Sequence, residues 1–278
     1  MRIGILGAGT WGIALARMLA NNGHSVFVWS ALPAEIDTLR EKHEHPNLPG
    51  VVIPSSIVFT KDIQNVCEGS KVIVFAVASK YMRSTAGLAK AYISSENVIV
   101  SVAKGIEPVT HFTMTDILAD ELQLPSNRIA ALSGPTHAEE VVIDLPTTIV
   151  SACSDMEIAR QIQDIFMNTC LRVYTNTDII GVELCGALKN IIALAAGISK
   201  GLGYGDNASA AIITRGIAEI YRLGEKMGCV QDTFFGLSGI GDMIVTATSI
   251  HSRNFTAGKL IGEGLSVEDA IKKVCMVV

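Results

Sequence analysis

Three glycines near the start of the chain, Gly7, Gly9 and Gly12, have the spacing of a nucleotide-binding turn. The apolar residues 3–6 before them predict a buried strand, and the apolar stretch 13–20 after them predicts a helix. In such a turn the first glycine permits the sharp bend, the second lets the backbone approach a pyrophosphate, and the third lets helix and strand pack closely. The N-terminus of the helix then offers N–H groups to the phosphates. The pattern predicts a dinucleotide site; a tight turn that holds no ligand is the alternative.

The end of the second predicted strand, 25–29, is where an adenosine ribose is expected. A site selective for NAD usually has Asp or Glu there to accept hydrogen bonds from the ribose 2′-OH. Residues 29–32 are Trp, Ser, Ala and Leu, so they contain neither that acid nor an Arg for a 2′-phosphate. Ser30 can hydrogen-bond a 2′-phosphate. The sequence therefore favours NADPH, although both NADP and NAD are compatible with it as cofactor.

Polar residues also follow two later predicted strands. Lys104 comes after the strand 97–102, and a glycine turn comes after the strand 129–132. Ligands of open α/β sheets bind at the carboxyl ends of the strands. Lys104 is therefore placed to contact substrate or cofactor, although a solvated loop lysine explains its position equally well.

Lys189 lies in the stretch 179–200, which is apolar almost all round and predicts a buried helix. A buried lysine is costly unless it is paired or functional. Burial or a nearby positive charge would lower its pKa toward the range useful for acid–base catalysis. The alternative is a lysine whose ammonium reaches solvent from the helix rim.

Ser252, Arg253 and Asn254 combine a guanidinium with neutral hydrogen-bonding groups, which suits a phosphate. A serine that starts a helix beside an exposed arginine explains the triplet equally well.

His43 and His45 flank a glutamate, which is a pattern that can bind a metal. A solvated loop is favoured there, because no third ligand is nearby.

These residues are carried by two kinds of element. Strands and helices alternate to about residue 175, and strand signals nearly vanish after Asp178. The expected fold is α/β: an N-terminal Rossmann-type doubly wound sheet followed by an all-α C-terminal domain. We expect a dinucleotide-binding domain over 1–177 and a helical substrate and catalytic domain over 178–278. The second domain looks incomplete at its C-terminus, because the chain stops in an apolar run.

Composition narrows the classes of function. The chain has 278 residues, is 49% hydrophobic and 18% charged, and carries a net charge of −5, which argues against a nucleic-acid partner. Its six cysteines are scattered without a C-x-x-C pair, which predicts reduced thiols in a cytoplasmic protein and no zinc site. No apolar run reaches spanning length without interruption, and no signal peptide is expected.

Taken together, the chain resembles the bacterial-type NAD(P)-dependent glycerol-3-phosphate dehydrogenases over essentially its whole length. Six motifs carry the resemblance in order along the chain: Gly7-Ala8-Gly9-Thr10-Trp11-Gly12, Val102-Ala103-Lys104-Gly105, Leu132-Ser133-Gly134-Pro135-Thr136, Glu183-Leu184-Cys185-Gly186-Ala187-Leu188-Lys189-Asn190, Gly236-Leu237-Ser238-Gly239-Ile240-Gly241-Asp242 and Ser252-Arg253-Asn254.

The resemblance implies roles by position. Lys189 would be the catalytic acid/base, Lys104 would add positive charge and depress its pKa, and Asp242 would position Lys189 or a substrate hydroxyl. The cofactor would contact Gly7, Gly9, Thr10, Trp11, Gly12, Ser30, Lys104, Ala138, Arg253 and Val277. The substrate would contact Lys104, Gly134, Thr136, Lys189, Asn190, Asp242, Thr246, Ser252, Arg253 and Asn254.

The sequence departs from the family pattern in three places. Ser30-Ala31 replaces the basic residue that is frequent after strand two, His137 stands where an aromatic residue is common, and the family continues beyond residue 278.

The resemblance implies reversible hydride transfer between NAD(P)H and dihydroxyacetone phosphate, giving sn-glycerol 3-phosphate for glycerophospholipid synthesis. The partner would be a small phosphorylated triose, with no nucleic acid and no membrane insertion, and the apolar helical domain is compatible with a homodimer. Two other readings remain open: a related hydroxyacid dehydrogenase, and a non-catalytic NAD(P)-binding regulatory protein.

Overall fold

The computed structural model describes residues 1–274, so the predicted cofactor contact Val277 lies outside the described residues. The chain divides into two compact units, Met1–Ile179 and a second unit that begins at Ile180. This division lies two residues beyond the boundary expected from the sequence.

The first unit is built on one eight-stranded sheet in the order β3-β2-β1-β4-β5-β6-β7-β8. Its neighbouring strands are parallel except for the antiparallel pair β6–β7. The strands are β1 Arg2–Leu6, β2 Ser25–Trp29, β3 Val58–Thr60, β4 Val72–Phe75, β5 Val98–Ser101, β6 Ile129–Ser133, β7 Thr147–Ala152 and β8 Leu171–Asn176.

Helices cover both faces of this sheet, as the alternating contacts of β4 show. Val72 and Val74 belong to one apolar cluster, whereas Ile73 and Phe75 belong to another on the opposite face. The helices of the unit are α1 Thr10–Asn21, α2 Pro33–Lys42, α3 Ile63–Cys67, α4 Met82–Ala89, α5 Met114–Leu122, α6 Ala138–Val141 and α7 Met156–Phe166. The expected Rossmann-type doubly wound sheet is confirmed.

The second unit is helical, and residues 180–274 contain no β-strand. Its helices are α8 Ile179–Gly201, which starts at the last residue of the first unit, α9 Asp206–Lys226, α10 Gln231–Phe235, α11 Asp242–Thr248, α12 Arg253–Gly262 and α13 Val267–Val274. A π-helical turn, Leu237–Gly241, joins α10 to α11. The all-α second domain is confirmed.

Helix α8 is long and apolar enough, by length and composition alone, to cross a membrane. Half of its most apolar window is buried inside the protein, and the core helix of a globular domain passes the same test. Within this unit α8 packs closely on α12 through small residues. A Cβ on Gly197 would come within 2.1 Å of Phe255 O, and one on Gly258 within 2.2 Å of Leu194 O. Backbone contact of this kind fixes α12 tightly against α8.

Candidate active site

The glycine turn joins β1 to α1 as the spacing predicts, and two of its glycines are required by the protein itself. Gly7 has φ +121°, and a Cβ there would lie 2.5 Å from Ala76 O. A Cβ on Gly12 would lie 2.1 Å from Gly7 O. Gly7 and Gly12 therefore keep the turn tight and the helix close to the sheet.

Gly9 differs from both, because a Cβ there would meet nothing within 4 Å among residues 1–274. It precedes α1, whose first turn receives no side-chain cap from the described residues and contains no acid. The space above Gly9 and the uncapped N–H groups fit a pyrophosphate, so these residues fit a dinucleotide cofactor. Thr10 and Trp11 lie in the same first turn, half-buried.

The end of β2 holds an arrangement that the sequence did not predict. The Ser30 hydroxyl donates a hydrogen bond to the carboxylate of Glu35, five residues further on in α2. An acid therefore stands beside the end of β2, although residues 29–32 contain none. His45, which the sequence places in a solvated loop, is only 5% exposed.

Three residues that the sequence selects meet at the ends of β5 and β6. Lys104 Nζ donates to the carbonyl oxygen of Gly134 at 3.0 Å, and Thr136 Oγ1 donates to the same oxygen at 3.2 Å. Gly134 has φ +158°, which brings its carbonyl to this position beside β7. Lys104 thus presents a fixed, half-buried cation at the carboxyl edge of the sheet.

The loop that carries Lys104 is anchored by an ion-pair network three residues later. Arg83 on α4 donates to both carboxylate oxygens of Glu107, each at 2.8 Å, and also to Asp120 at 2.6 Å. Thr110 Oγ1 adds a bond of 2.6 Å to the same carboxylate. The hydrogen bonds from Arg83, followed by that from Thr110, lower the pKa of Glu107 to about 2.

In the second unit, Lys189 is buried together with a counter-charge. Lys189 is 7% exposed and forms an ion pair and hydrogen bond with Asp242, which is fully buried at the start of α11. Lys189 Nζ also donates to Thr246 Oγ1 at 2.7 Å, and that hydroxyl donates to the carbonyl of Asp242 at 2.6 Å. The carboxylate supplies the charge partner that a buried ammonium requires.

The π-helical turn before α11 helps to place Asp242. Gly239 lies in that turn, and a Cβ there would come within 2.0 Å of Phe234 O. Single π-helical turns are frequent at functional sites. The run of glycines noted in the sequence thus lets the turn pack on α10 just before the carboxylate.

Ser252, Arg253 and Asn254 form the start of α12. The Ser252 hydroxyl accepts a hydrogen bond from Phe255 N at 3.2 Å and is the N-cap of the helix. Arg253 is exposed and Asn254 is half-buried. Because α12 packs on α8 through glycines, this triplet is held at a fixed position relative to Lys189 in the same unit.

The remaining predicted residues are placed as follows. Ala138 is the first residue of α6 and is half-buried, and Asn190 follows Lys189 on α8, also half-buried.

Among residues 1–274 no group of three or more potential metal ligands is present. Burial raises the pKa of the Cys67 thiol to about 12.

Comparison with known proteins covers both units of the chain. Residues 2–159 match the family model for the N-terminus of NAD-dependent glycerol-3-phosphate dehydrogenase, and residues 178–278 match the model for its C-terminus. The fold and site define an NAD(P)-dependent dehydrogenase with a Rossmann domain followed by a helical domain. The chain belongs to the NAD-dependent glycerol-3-phosphate dehydrogenase family.

Individual relatives cover the whole chain. A protein of Lactobacillus delbrueckii subsp. bulgaricus named glycerol-3-phosphate dehydrogenase [NAD(P)+] 2 is 60% identical over 281 residues, covering 100% of this chain and 83% of its own length. A protein of the same enzyme name from Agathobacter rectalis is 52% identical, with 100% and 82% covered. The crystal structure of glycerol-3-phosphate dehydrogenase from Coxiella burnetii superposes with a TM-score of 0.94 at 36% identity, covering 99% of this chain and 84% of that one.

Proposed function

We propose that the chain catalyses reversible, NAD(P)H-dependent reduction of dihydroxyacetone phosphate to sn-glycerol 3-phosphate. Its family membership and the name of its 60% identical relative support this reaction. The observation that carries the assignment is the buried Lys189, hydrogen-bonded to Asp242 and Thr246 in the helical unit. A lysine held in this way by two fixed partners suits proton transfer, because general acid–base catalysis requires a positioned side chain.

The bound dinucleotide supplies the hydride. The glycine turn and the N-terminus of α1 hold its pyrophosphate, with Gly9 leaving room for close approach. Thr10 and Trp11, in the first turn of α1, lie beside that room. Ala138 is assigned to the cofactor by family resemblance only, as are the further contacts of Arg253 and Val277.

Lys189 donates a proton to the oxygen of the substrate carbonyl during reduction and removes it during oxidation. Asp242 holds the ammonium in place and supplies its counter-charge, and Thr246 fixes a second of its N–H groups. Proton transfer by a positioned side chain contributes roughly 10²–10⁴ to the rate of such reactions.

In the helical unit, substrate recognition is assigned to the polar groups at the start of α12 and beside Lys189. Arg253 binds the phosphate with the exposed guanidinium of the first turn of α12, and Ser252 and Asn254 complete the set of polar groups there. Asn190 contacts the substrate beside Lys189. Lys104, Gly134 and Thr136, which meet at the sheet edge of the first unit, are assigned to the substrate by family resemblance only. Binding energy from the non-reacting phosphate then serves to orient the carbonyl.

The test is oxidation of NADH and NADPH by the purified protein with dihydroxyacetone phosphate, with dihydroxyacetone, and with a 2-oxo acid. We expect oxidation with the phosphorylated triose, and strong loss of it in Lys189→Ala. Lys226→Ala is the matched control, because Lys226 is an exposed helical lysine of the same unit. Preference for the 2-oxo acid would indicate a hydroxyacid dehydrogenase. Cofactor binding without turnover on any substrate would indicate a regulatory protein.

A homodimer and a cytoplasmic location are parts of the same proposal. Apolar side chains such as Ile191 on α8 and Phe235 on α10 are more than half exposed, which favours burial against another copy. Light scattering on the eluting protein would give the mass directly. A monomer at micromolar concentration would contradict the dimer.

A further inference from the structure

The end of β2 lies directly against the glycine turn. Leu6 and Trp29 are paired in the parallel ladder β1–β2, and the amide of Gly7 donates to Trp29 O at 2.8 Å. In a doubly wound sheet this is the point where the adenosine ribose of a dinucleotide meets the protein. What stands next to Trp29 therefore decides whether a ribose 2′-OH or a 2′-phosphate is accepted.

The Ser30 hydroxyl is committed within the protein. It is 7% exposed, its single proton is directed to Glu35 Oε2, and it accepts a hydrogen bond from Leu32 N at 3.2 Å. The sequence suggested Ser30 as a donor to a 2′-phosphate, but in the structure its proton is already used on a carboxylate.

Glu35 is half-buried in the first turn of α2, where the helix dipole stabilises its negative charge. The bond from Ser30 turns its carboxylate toward the end of β2. Glu35 thus occupies the functional position of the acid that NAD-selective sites carry at this strand end, although it arrives from the following helix.

A buried histidine, His45, also interacts with this carboxylate. His45 interacts electrostatically with Glu35 and hydrogen-bonds the backbone of Ala8 in the glycine turn. Asn47 N donates to His45 Nδ1 at 3.2 Å, so the ring proton is on Nε2. Burial lowers the pKa of His45, which keeps the ring neutral near pH 7. Asn47 Nδ2 also donates to Thr10 Oγ1 at 3.3 Å, tying the loop to the turn.

Two of the cations near α2 have partners of their own. Arg40 Nε donates to Phe59 O at 2.7 Å, and Lys61 pairs with Asp37 at 2.7 Å. The strand end therefore presents a carboxylate beside a neutral imidazole.

We propose that Glu35 is the residue that selects the cofactor: its carboxylate accepts a hydrogen bond from the ribose 2′-OH of NAD(H) and repels the 2′-phosphate of NADP(H). The chain therefore prefers NAD(H), whereas residues 29–32 alone favour NADPH. A carboxylate paired with a hydroxyl donor gains a charge-assisted hydrogen bond, whereas a phosphate dianion beside it meets like charge. The inference rests on the nicotinamide cofactor of the proposed function.

Isothermal titration calorimetry of the protein with NADH and NADPH tests the proposal without turnover. We expect NADH to bind about tenfold more tightly or better, equivalent to about 1.4 kcal/mol. Glu35→Gln should bring the two affinities close together, mainly by tightening NADPH binding. ADP-ribose and 2′-phospho-ADP-ribose should repeat the pattern, since both lack the nicotinamide.

Glu41→Gln is the matched control, because Glu41 is an exposed acid of the same helix and its substitution removes the same charge. Glu35→Gln retains an oxygen that can accept the Ser30 bond, so α2 should keep its position. Ser30→Ala removes the anchor but not the charge, and should weaken discrimination less than Glu35→Gln does. Thermal melting of each variant without ligand reports whether it is folded.

Equal or tighter binding of NADPH by the unaltered protein would overturn the proposal, as would an affinity ratio in Glu35→Gln equal to that in Glu41→Gln. The proposed function is judged separately. A preference for NADH that Glu35→Gln abolishes, without triose phosphate reduction, keeps this inference and removes the function. Reduction at equal rates and affinities with both cofactors keeps the function and removes this inference.

Discussion

Lys104 of the sheet unit and Lys189 of the helical unit are the same side chain in opposite surroundings. Lys104 is half-buried on a loop, and its ammonium donates to the backbone carbonyl of Gly134. Lys189 is buried on a helix and forms an ion pair with the carboxylate of Asp242. A half-buried cation is hydrated and screened, so it adds charge at modest cost. A buried ammonium is costly unless a counter-charge and hydrogen bonds compensate it, which makes its environment specific.

Of the two lysines, Lys189 is the one whose surroundings suit proton exchange with a substrate. Burial and two fixed partners hold Lys189 in one geometry, which is what general acid–base catalysis demands. Lys104 is better suited to electrostatic support.

Lys189→Ala should lower kcat by roughly 10²–10⁴, because it removes the proton donor. Steady-state kinetics with saturating triose phosphate and NADH measure the effect. Lys226→Ala should retain full turnover. Activity of Lys189→Ala within about threefold of the unaltered enzyme would contradict the assignment of Lys189 as the proton donor, because a threefold loss is far smaller than the contribution of a general acid.

Asp242→Asn should lower the free energy of unfolding by about 3–5 kcal/mol, because it leaves the Lys189 ammonium buried without a counter-charge. Urea denaturation measures this difference. The double variant Lys189→Met/Asp242→Asn should recover most of the stability and none of the activity, because it removes the whole ion pair.

The control for that experiment is Glu219→Gln. Glu219 pairs with Arg215 and Arg222 on the exposed side of α9, and such surface pairs contribute about 0–1 kcal/mol. If Asp242→Asn were as mild as Glu219→Gln, the pair at Lys189 would not be the buried one described here.

Lys104→Met should lower kcat/KM by about tenfold, which corresponds to the loss of one charge-assisted hydrogen bond of about 1.5 kcal/mol. Stability should change little, since the ammonium is half-exposed. Lys80→Met, at an exposed lysine of the same unit, is the matched variant and should be neutral. A loss at Lys104 as large as that at Lys189 would erase the distinction between the two centres.

The smallest effect concerns the loop that holds Lys104. The pKa of Glu107 is lowered from 4.5 to about 2 by its bonds with Arg83, so the folded state binds that proton more weakly than the unfolded state. Its contribution to stability is therefore complete above about pH 4.5 and is lost as the pH falls toward 2. Unfolding of Glu107→Gln followed from pH 6 to pH 3 should show a shallower loss than the unaltered protein. Equal slopes would show that this anchor does not titrate in the fold.

Much of the molecule follows from local sequence rules. The glycine spacing after residues 3–6 predicts β1, the turn and α1, because only that order satisfies the packing of Gly7 and Gly12. Lys189 stands out because a charge in an apolar helix requires an explanation. The sequence also brings Lys104, Gly134 and Thr136 together, since parallel strands end at one edge of the sheet.

What the sequence could not supply depends on contacts between segments. Glu35 lies in a helix, so a search of residues 29–32 misses it, and only the fold turns its carboxylate back to Ser30. His45 is a polar residue in a loop, yet it is buried, and hydrogen bonds with the backbone of Ala8 and Asn47 satisfy its ring. The side chain that neutralises Lys189 is 53 residues away along the chain. Pattern and spacing carry no information on such pairings.

The most direct test of the account is chemical rescue of Lys189→Ala. Alkylammonium ions added to the variant can replace the missing proton donor, with triose phosphate reduction followed by NADH absorbance. Rates of Lys189→Ala should rise with amine concentration and depend on amine pKa, whereas Lys104→Met should gain nothing from the same amines. Full activity of Lys189→Ala without amine, or equal rescue of both variants, would contradict the assignment of Lys189 as the acid–base group.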